Sequence, residues 1–166
     1  MINIKQYMQD GFVKVCDVSE GSYYDWYYKN INREVMYDSH KSWVYFIVLD
    51  GEIVKIGETG NPLGIESNSG YVGIESQPKK GTMSRFGRYR NGDGTDSFIR
   101  GALRKQVKAG RVSLWAKRCD MVEMELTIAG QKQTTLTSFH KDLELRYLTH
   151  FVNHVGCLPK LNKAHK

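Results

Sequence analysis

The sequence predicts an α/β domain: a small, mostly antiparallel sheet flanked by helices, with a second hairpin and an N-terminal arm. Three observations predict it. Two β-branched and aromatic runs surround Asp50-Gly51 in WVYFIVLDGEIVKIGET; a helix-like segment, SFIRGALRKQVKA, leads into the alternating run RVSLWAKR; and a long amphipathic segment ends at Gly156. At 166 residues the chain is long enough for one domain with its own core, and it needs no cross-link to hold it.

In chain order, residues 1–42 read as an aromatic-rich arm or subdomain and residues 43–166 as the main domain. The run Tyr23-Tyr24-Asp25-Trp26-Tyr27-Tyr28 is too aromatic for a free linker, so it is expected to pack against the rest. From Trp43 the Asp50-Gly51 pair signals a hairpin. A two-residue turn would pair Tyr45 with Ile56, whereas a three-residue loop, Leu49-Asp50-Gly51, would pair Tyr45 with Lys55. Only the longer loop sorts the residues. It gathers Val44, Phe46, Val48, Val54 and Ile56 on one apolar face and leaves Tyr45, Ile47, Ile53, Lys55 and Gly57 on the other.

Residues 60–82 form a glycine-rich connection of the length that is usually functional or disordered. A helix follows, capped by Thr95 or Asp96 and stopped by Gly110, with Phe98, Ile99, Ala102, Leu103 and Val107 as its buried stripe. Arg100, Arg104 and Lys108 share another face of it. Residues 111–118 alternate as a third strand, 121–138 read as a hairpin turning at 129–132, and 139–155 as the last helix, with Gly156 at its end and Pro159 beyond.

Lysine plus arginine number 24 against 18 acidic residues, a net charge of +6. That balance favours an anionic partner, nucleic acid first, and ten tyrosines with three tryptophans offer stacking surfaces for it. Cys16, Cys119 and Cys157 are far apart and form no CxxC, which argues against a disulfide framework and a zinc ribbon and fits a reducing cytoplasm. No apolar run reaches the roughly 20 residues of a membrane span, and the first residues lack the layout of a signal peptide. GDGTDS lacks the lysine of a phosphate-binding loop. His150 and His154 form an HxxxH pair, but Phe151 stands where a zinc helix carries glutamate.

The last helix holds an anomaly. At about 100° per residue, Glu144 falls inside the arc of Tyr147, Leu148, Phe151, Val152 and Val155. A carboxylate in an apolar stripe requires a cation beside it, either an arginine or lysine or a metal ion, and position alone leaves both open.

Trp43-Val44-Tyr45, then Lys55-Ile56-Gly57, then Arg85, Glu144 and Asn162 resemble the ordered motif set of the GIY-YIG nucleases, over about residues 43–163. Trp43 stands where glycine is usual, and Lys55 replaces the second tyrosine, as in some short restriction-type and phage-type members. Arg85 matches better than Arg88 or Arg90 because Tyr89 follows it by four residues. The resemblance implies a divalent-metal-dependent DNA endonuclease, restriction-like or phage DNA-degrading. Tyr45 would help deprotonate the attacking water; Lys55 would lower the tyrosine's pKa or hold the water; Arg85 would stabilise the phosphate. Glu144 would ligate one Mg²⁺ (or Mn²⁺), Asn162 would order the site by hydrogen bonds, and Glu58 would position water or metal. Arg88, Arg90, Arg100, Arg104 and Lys108 would grip the DNA backbone. The implied partner is DNA and no membrane, the setting is the cytoplasm of a bacterial or phage-infected cell, and a homodimer is compatible with it. The competing expectation is a DNA-binding module of the same fold that does not cut; such a module would be expected to lose the glutamate or arginine first.

Overall fold

A computed structural model of the chain describes residues 2–21, 26–67, 76–80, 83–92 and 95–162, with the backbone alone at Thr95. Five strands form the main sheet: β1 (Val13–Ser19), β2 (Tyr27–Lys29), β3 (Trp43–Leu49), β4 (Glu52–Thr59) and β5 (Val112–Arg118). Their order is β2-β1-β5-β3-β4, every pair antiparallel. A separate two-stranded ribbon joins β6 (Met121–Ile128) to β7 (Gln131–Ser138). The helices are α1 (Arg33–Met36), α2 (Arg85–Asn91), α3 (Thr95–Ala109) and α4 (His140–Val155). This is the α/β class that the sequence predicts.

Both faces of the sheet are covered, which is why Trp43 to Val48 are buried without a break. Tyr45, Ile47 and Val54 pack with Met36 of α1, Phe86 and Tyr89 of α2, and Ile99 and Leu103 of α3. On the opposite face Val44, Phe46, Ile53 and Ile56 pack with Phe151 of α4, with Ile4 of a short 3₁₀ turn (Ile4–Gln6) and with Tyr7, which links that turn to a second one (Met8–Asp10). The first 42 residues therefore share the sheet and both cores. Trp26 and Tyr28 are buried, as the aromatic run suggested, and the Tyr28 hydroxyl donates to the Phe86 carbonyl at 2.9 Å. Tyr23, Tyr24 and Asp25 of that run lie outside the described residues.

The β3–β4 hairpin departs from expectation in an instructive way. Asp50 and Gly51 have φ of 49° and 91°, so the loop has two residues, of the left-handed kind that Asp-Gly favours, and not three. The register then shifts between Ile47 and Val48: Val48 faces Ile53, but Ile47 faces Lys55. Val54 is the extra residue of a bulge. Beyond it Phe46 faces Ile56 and Tyr45 faces Gly57. Lys55 therefore opposes Ile47 rather than Tyr45. An even turn plus a one-residue bulge restores the alternation that an odd loop would give, so Tyr45 and Lys55 still share a face. Only Ile53 and Val54 exchange sides.

The helices also correct two stripes. Asp96, Ile99 and Leu103 form the buried line of α3, and Phe98 is 41% exposed. On α4 the packed line is Leu143, Tyr147, Leu148 and Phe151, Val155 is 37% exposed, and Glu144 stands within that line as expected but only half-buried. Tyr7 packs edge-on against Tyr147 and sets its hydroxyl 2.7 Å from His150 Nδ1, which ties the N-terminal segment to this helix. The β6–β7 turn is Ala129-Gly130, both with positive φ. Among the described residues no helix is long and apolar enough to cross a membrane.

Candidate active site

The hairpin face under α2 carries Tyr45, Lys55 and Gly57, whereas Glu58, paired with Val44, alternates to the other face. Tyr45 is 2% exposed, and its ring lies over Gly57 on the neighbouring strand. A Cβ at position 57 would stand 2.4 Å from Tyr45 Cζ and Oη, so this position tolerates only glycine. Phe86 meets the Tyr45 ring edge-on at 5.6 Å. The Tyr45 hydroxyl shares a short hydrogen bond with that of Tyr89.

Tyr89 stands one helical turn after Arg85, so α2 presents both on one face. The Arg85 guanidinium carbon is 6.0 Å from the Tyr89 ring centre, within cation–π reach. Gly87 lets α2 approach the chain beneath it, since a Cβ there would meet the Lys79 carbonyl oxygen at 2.2 Å. The Arg85 side chain is 20% exposed and lies 3.5 Å from Asp96, the buried carboxylate in the first turn of α3; Arg88 approaches the same carboxylate at 3.0 Å.

Lys55 is half-buried on β4, the outer strand of the sheet. Asn162 seals that edge: its carbonyl oxygen accepts from the Ile56 N–H at 2.9 Å and its amide donates to the Ile56 carbonyl at 2.7 Å. One side chain thus supplies both bonds that a further strand would make, right beside Lys55. Glu58 lies 3.2 Å from His140 Nε2 at the start of α4, while His140 Nδ1 meets the hydroxyls of Ser42, at 3.3 Å, and Ser138. Glu144 follows His140 by one turn, and its charge acts on both Tyr45 and Lys55. Among the described residues no three His, Cys, Asp or Glu side chains form a metal cage.

Burial pushes the Tyr45 hydroxyl up to about 12, against the pull of Arg85 and of the hydrogen bond from Tyr89. Tyr89 is raised well above its ordinary value, again chiefly by burial. Lys55 moves the other way: burial lowers its pKa, with Arg85 adding to the effect and Glu144 and Asp96 opposing it. The cation that acts on Tyr45 is Arg85. Near neutral pH Tyr45 is a hydrogen-bond donor, and Lys55 loses its proton more readily than a free lysine.

The remaining basic residues are spread out. Arg88 is exposed beside the site, whereas Arg90 turns inward to donate to the Pro78 carbonyl at 2.7 Å. On α3, Arg100 lays its stem across Gly92 and reaches the Asn91 carbonyl at 3.4 Å. Arg104 is exposed, and Lys108 forms a surface pair with Glu20 at 3.6 Å. His140, Asp96 and the Tyr45–Tyr89 bond escape sequence reasoning. The four-residue spacing of His140 and Glu144 is the one signal that could have revealed the histidine.

No protein-family model matches the sequence, and no curated protein matches it. Solved structures similar to it include the following two. Restriction endonuclease HPY188I in complex with product DNA is 16% identical, with a TM-score of 0.46 over 95% of this chain and 84% of that one. A mutant of bacteriophage T4 EndoII is 17% identical, with a TM-score of 0.59 over 98% of this chain and 100% of that one. The likeness to the phage protein runs through nearly the whole of both chains, N-terminal strands included, so the fold of this chain is similar to that of EndoII.

Proposed function

We propose that the chain is a divalent-metal-dependent DNA endonuclease of the GIY-YIG type. The observation that carries this reading is the meeting of Tyr45, Lys55, Arg85 and Glu144, from β3, β4, α2 and α4, in one electrostatic neighbourhood at the sheet edge. The fold likeness to EndoII supports it.

Hydrolysis of a phosphodiester needs a deprotonated water in line with the leaving oxygen and positive charge around the phosphate. Lys55 accepts the water's proton: burial eases the loss of its own proton, whereas burial holds the Tyr45 hydroxyl protonated up to about 12, so of the two Lys55 is the readier base. The base role that the resemblance gives to Tyr45 passes to Lys55. Tyr45 keeps its proton and orients the water by a hydrogen bond. Arg85 faces the non-bridging oxygens, and Asn162 fixes the strand that carries Lys55. Glu58, held by His140, positions the water. Glu144 suits a Mg²⁺ or Mn²⁺ ion that takes one carboxylate and fills its other positions with water and phosphate oxygens. When bound, the ion supplies charge at the departing 3′-oxygen. Arg88, Arg100, Arg104 and Lys108 hold the DNA backbone, with Arg90 steadying the base of the 60–82 connection.

A plasmid-nicking assay with Mg²⁺ or EDTA tests the reading. Cleavage should require the ion, and kcat/KM should rise with pH through a pKa below the ordinary lysine value of 10.5, since the neutral amine is the active form. Lys55→Arg, charged at every pH, should bind DNA and cut at no pH. Wild-type binding with no cutting would favour the non-cleaving DNA-binding module instead.

We further propose that the protein acts as a dimer through the β6–β7 ribbon. Val122, Met124, Leu126 and Ile128, 38–54% exposed, share one ribbon face with Gln131, Gln133, Thr135 and Thr137, and that face carries no charge. A two-stranded ribbon is marginal by itself in water, and an uncharged face meets its own copy across a two-fold axis without repulsion. Light scattering should give twice the chain mass for the wild type and the single mass for Met124→Glu with Leu126→Glu. A monomeric wild type at micromolar concentration would refute the dimer.

A further inference from the structure

Asp96 reads from sequence as a helix cap, yet its surroundings are not those of one. It is 3% exposed and stands between two guanidinium groups, 3.5 Å from Arg85 Nη1 and, through Oδ2, 3.0 Å from Arg88 Nε. A carboxylate in the first turn of a helix gains from the helix dipole, but it gains that on the surface as well. A carboxylate buried for stability typically sits in a bidentate arginine fork with all its lone pairs used. Here the geometry is poorer: Oδ2 is buried with no aligned hydrogen bond, and so is Arg85 Nε. Burying a charge with off-line contacts costs stability rather than supplying it. What the arrangement gains is position.

We propose that Asp96 is a positioning residue that holds the Arg85 guanidinium against Tyr45 and Tyr89, where the scissile phosphate must lie. The inference rests on the nuclease reading above. Arginine has a long, rotatable stem, and Arg88, one turn along α2, already reaches solvent. Without a fixed anion behind it, Arg85 can follow its neighbour outward and meet any phosphate of the backbone rather than the reacting one. Asp96 also adds to the charge balance of the site, since its charge acts on Lys55 along with those of Glu144 of α4 and Arg85 of α2.

Single-turnover cleavage and DNA affinity of Asp96→Asn test this. Displacing a catalytic group by about 1 Å costs on the order of 100-fold in rate. The expected result is therefore a rate loss of that order with unchanged affinity and a retained melting transition. In an Arg85→Lys background the same change should cost much less, because the two residues act as one unit. Asp96→Asn cutting at the wild-type rate, or losses that simply multiply in the double variant, would overturn the proposal. Should Asp96→Asn not fold, Asp96→Glu decides: it keeps the buried charge but shifts the carboxylate by about one bond, roughly 1.5 Å. It should fold and cut at least tenfold more slowly, and wild-type cutting by it would be equally fatal. A wild-type chain that cuts nothing with Mg²⁺ removes the nuclease reading and this inference together, an outcome distinct from a fast Asp96 variant.

Discussion

Glu144→Gln should abolish Mg²⁺-dependent cleavage and leave DNA binding in place. The substitution keeps the shape and much of the hydrogen bonding of the side chain while removing the charge that would hold the ion. Its expected effect on stability follows from where Glu144 stands. Within the α4 stripe it is only half-buried, so it retains part of its hydration, and neutralising it should move stability by no more than about 1 kcal/mol. A buried ion pair whose only purpose is structural would behave otherwise, losing roughly 3 to 5 kcal/mol when one partner goes. The thermal melt and the nicking assay therefore separate the two roles. Loss of cutting with an unmoved melt supports a metal ligand. A variant that cuts at the wild-type rate but melts far earlier would make Glu144 a partner of Lys55 and remove the metal from the proposal.

Much of this site was legible in the sequence because its strands and helices announce themselves by period. The two-residue alternation of Trp43 to Val48 separates Tyr45 from Val44 and Phe46, and that separation survives the misjudged loop. Rotation about the last helix singles out Glu144, although it places the residue deeper than it lies. What escaped depends on contacts that no local pattern encodes. The bulge at Val54 is one, since Asp50-Gly51 sets the turn and packing then shifts the register beyond it. Another is the role of Tyr7 and Phe12, which stack around Phe46 and Tyr147 from a segment 34 or more residues away in sequence. A third is Asp96. Sequence supplies its helix position, but only the approach of α2 to α3 turns a cap into the anion behind Arg85.

Gly57→Ala should have a large effect on both folding and cleavage for a change of a single methyl group. The added Cβ would fall 2.4 Å from Tyr45 Cζ and Oη, far inside van der Waals contact, and the ring has no free direction in which to yield. Phe86 blocks it edge-on, Tyr89 lies 6.2 Å away between centroids, and the whole side chain is buried. Either β4 moves away from β3 or the Tyr45 hydroxyl leaves that of Tyr89. Overpacking of this kind costs about 1 to 3 kcal/mol. A shift of the hydroxyl by about 1 Å costs on the order of 100-fold in rate if Tyr45 orients the water. Gly60→Ala is the matched control at the end of the same hairpin: its Cβ would meet His140 Nε2 at 3.6 Å, an ordinary contact, and it should melt and cut like the wild type. Parallel melts and single-turnover rates of the two variants make the comparison. If Gly57→Ala matches Gly60→Ala in both, Tyr45 does not stand over β4 as described, and its part in holding the water is lost with that geometry.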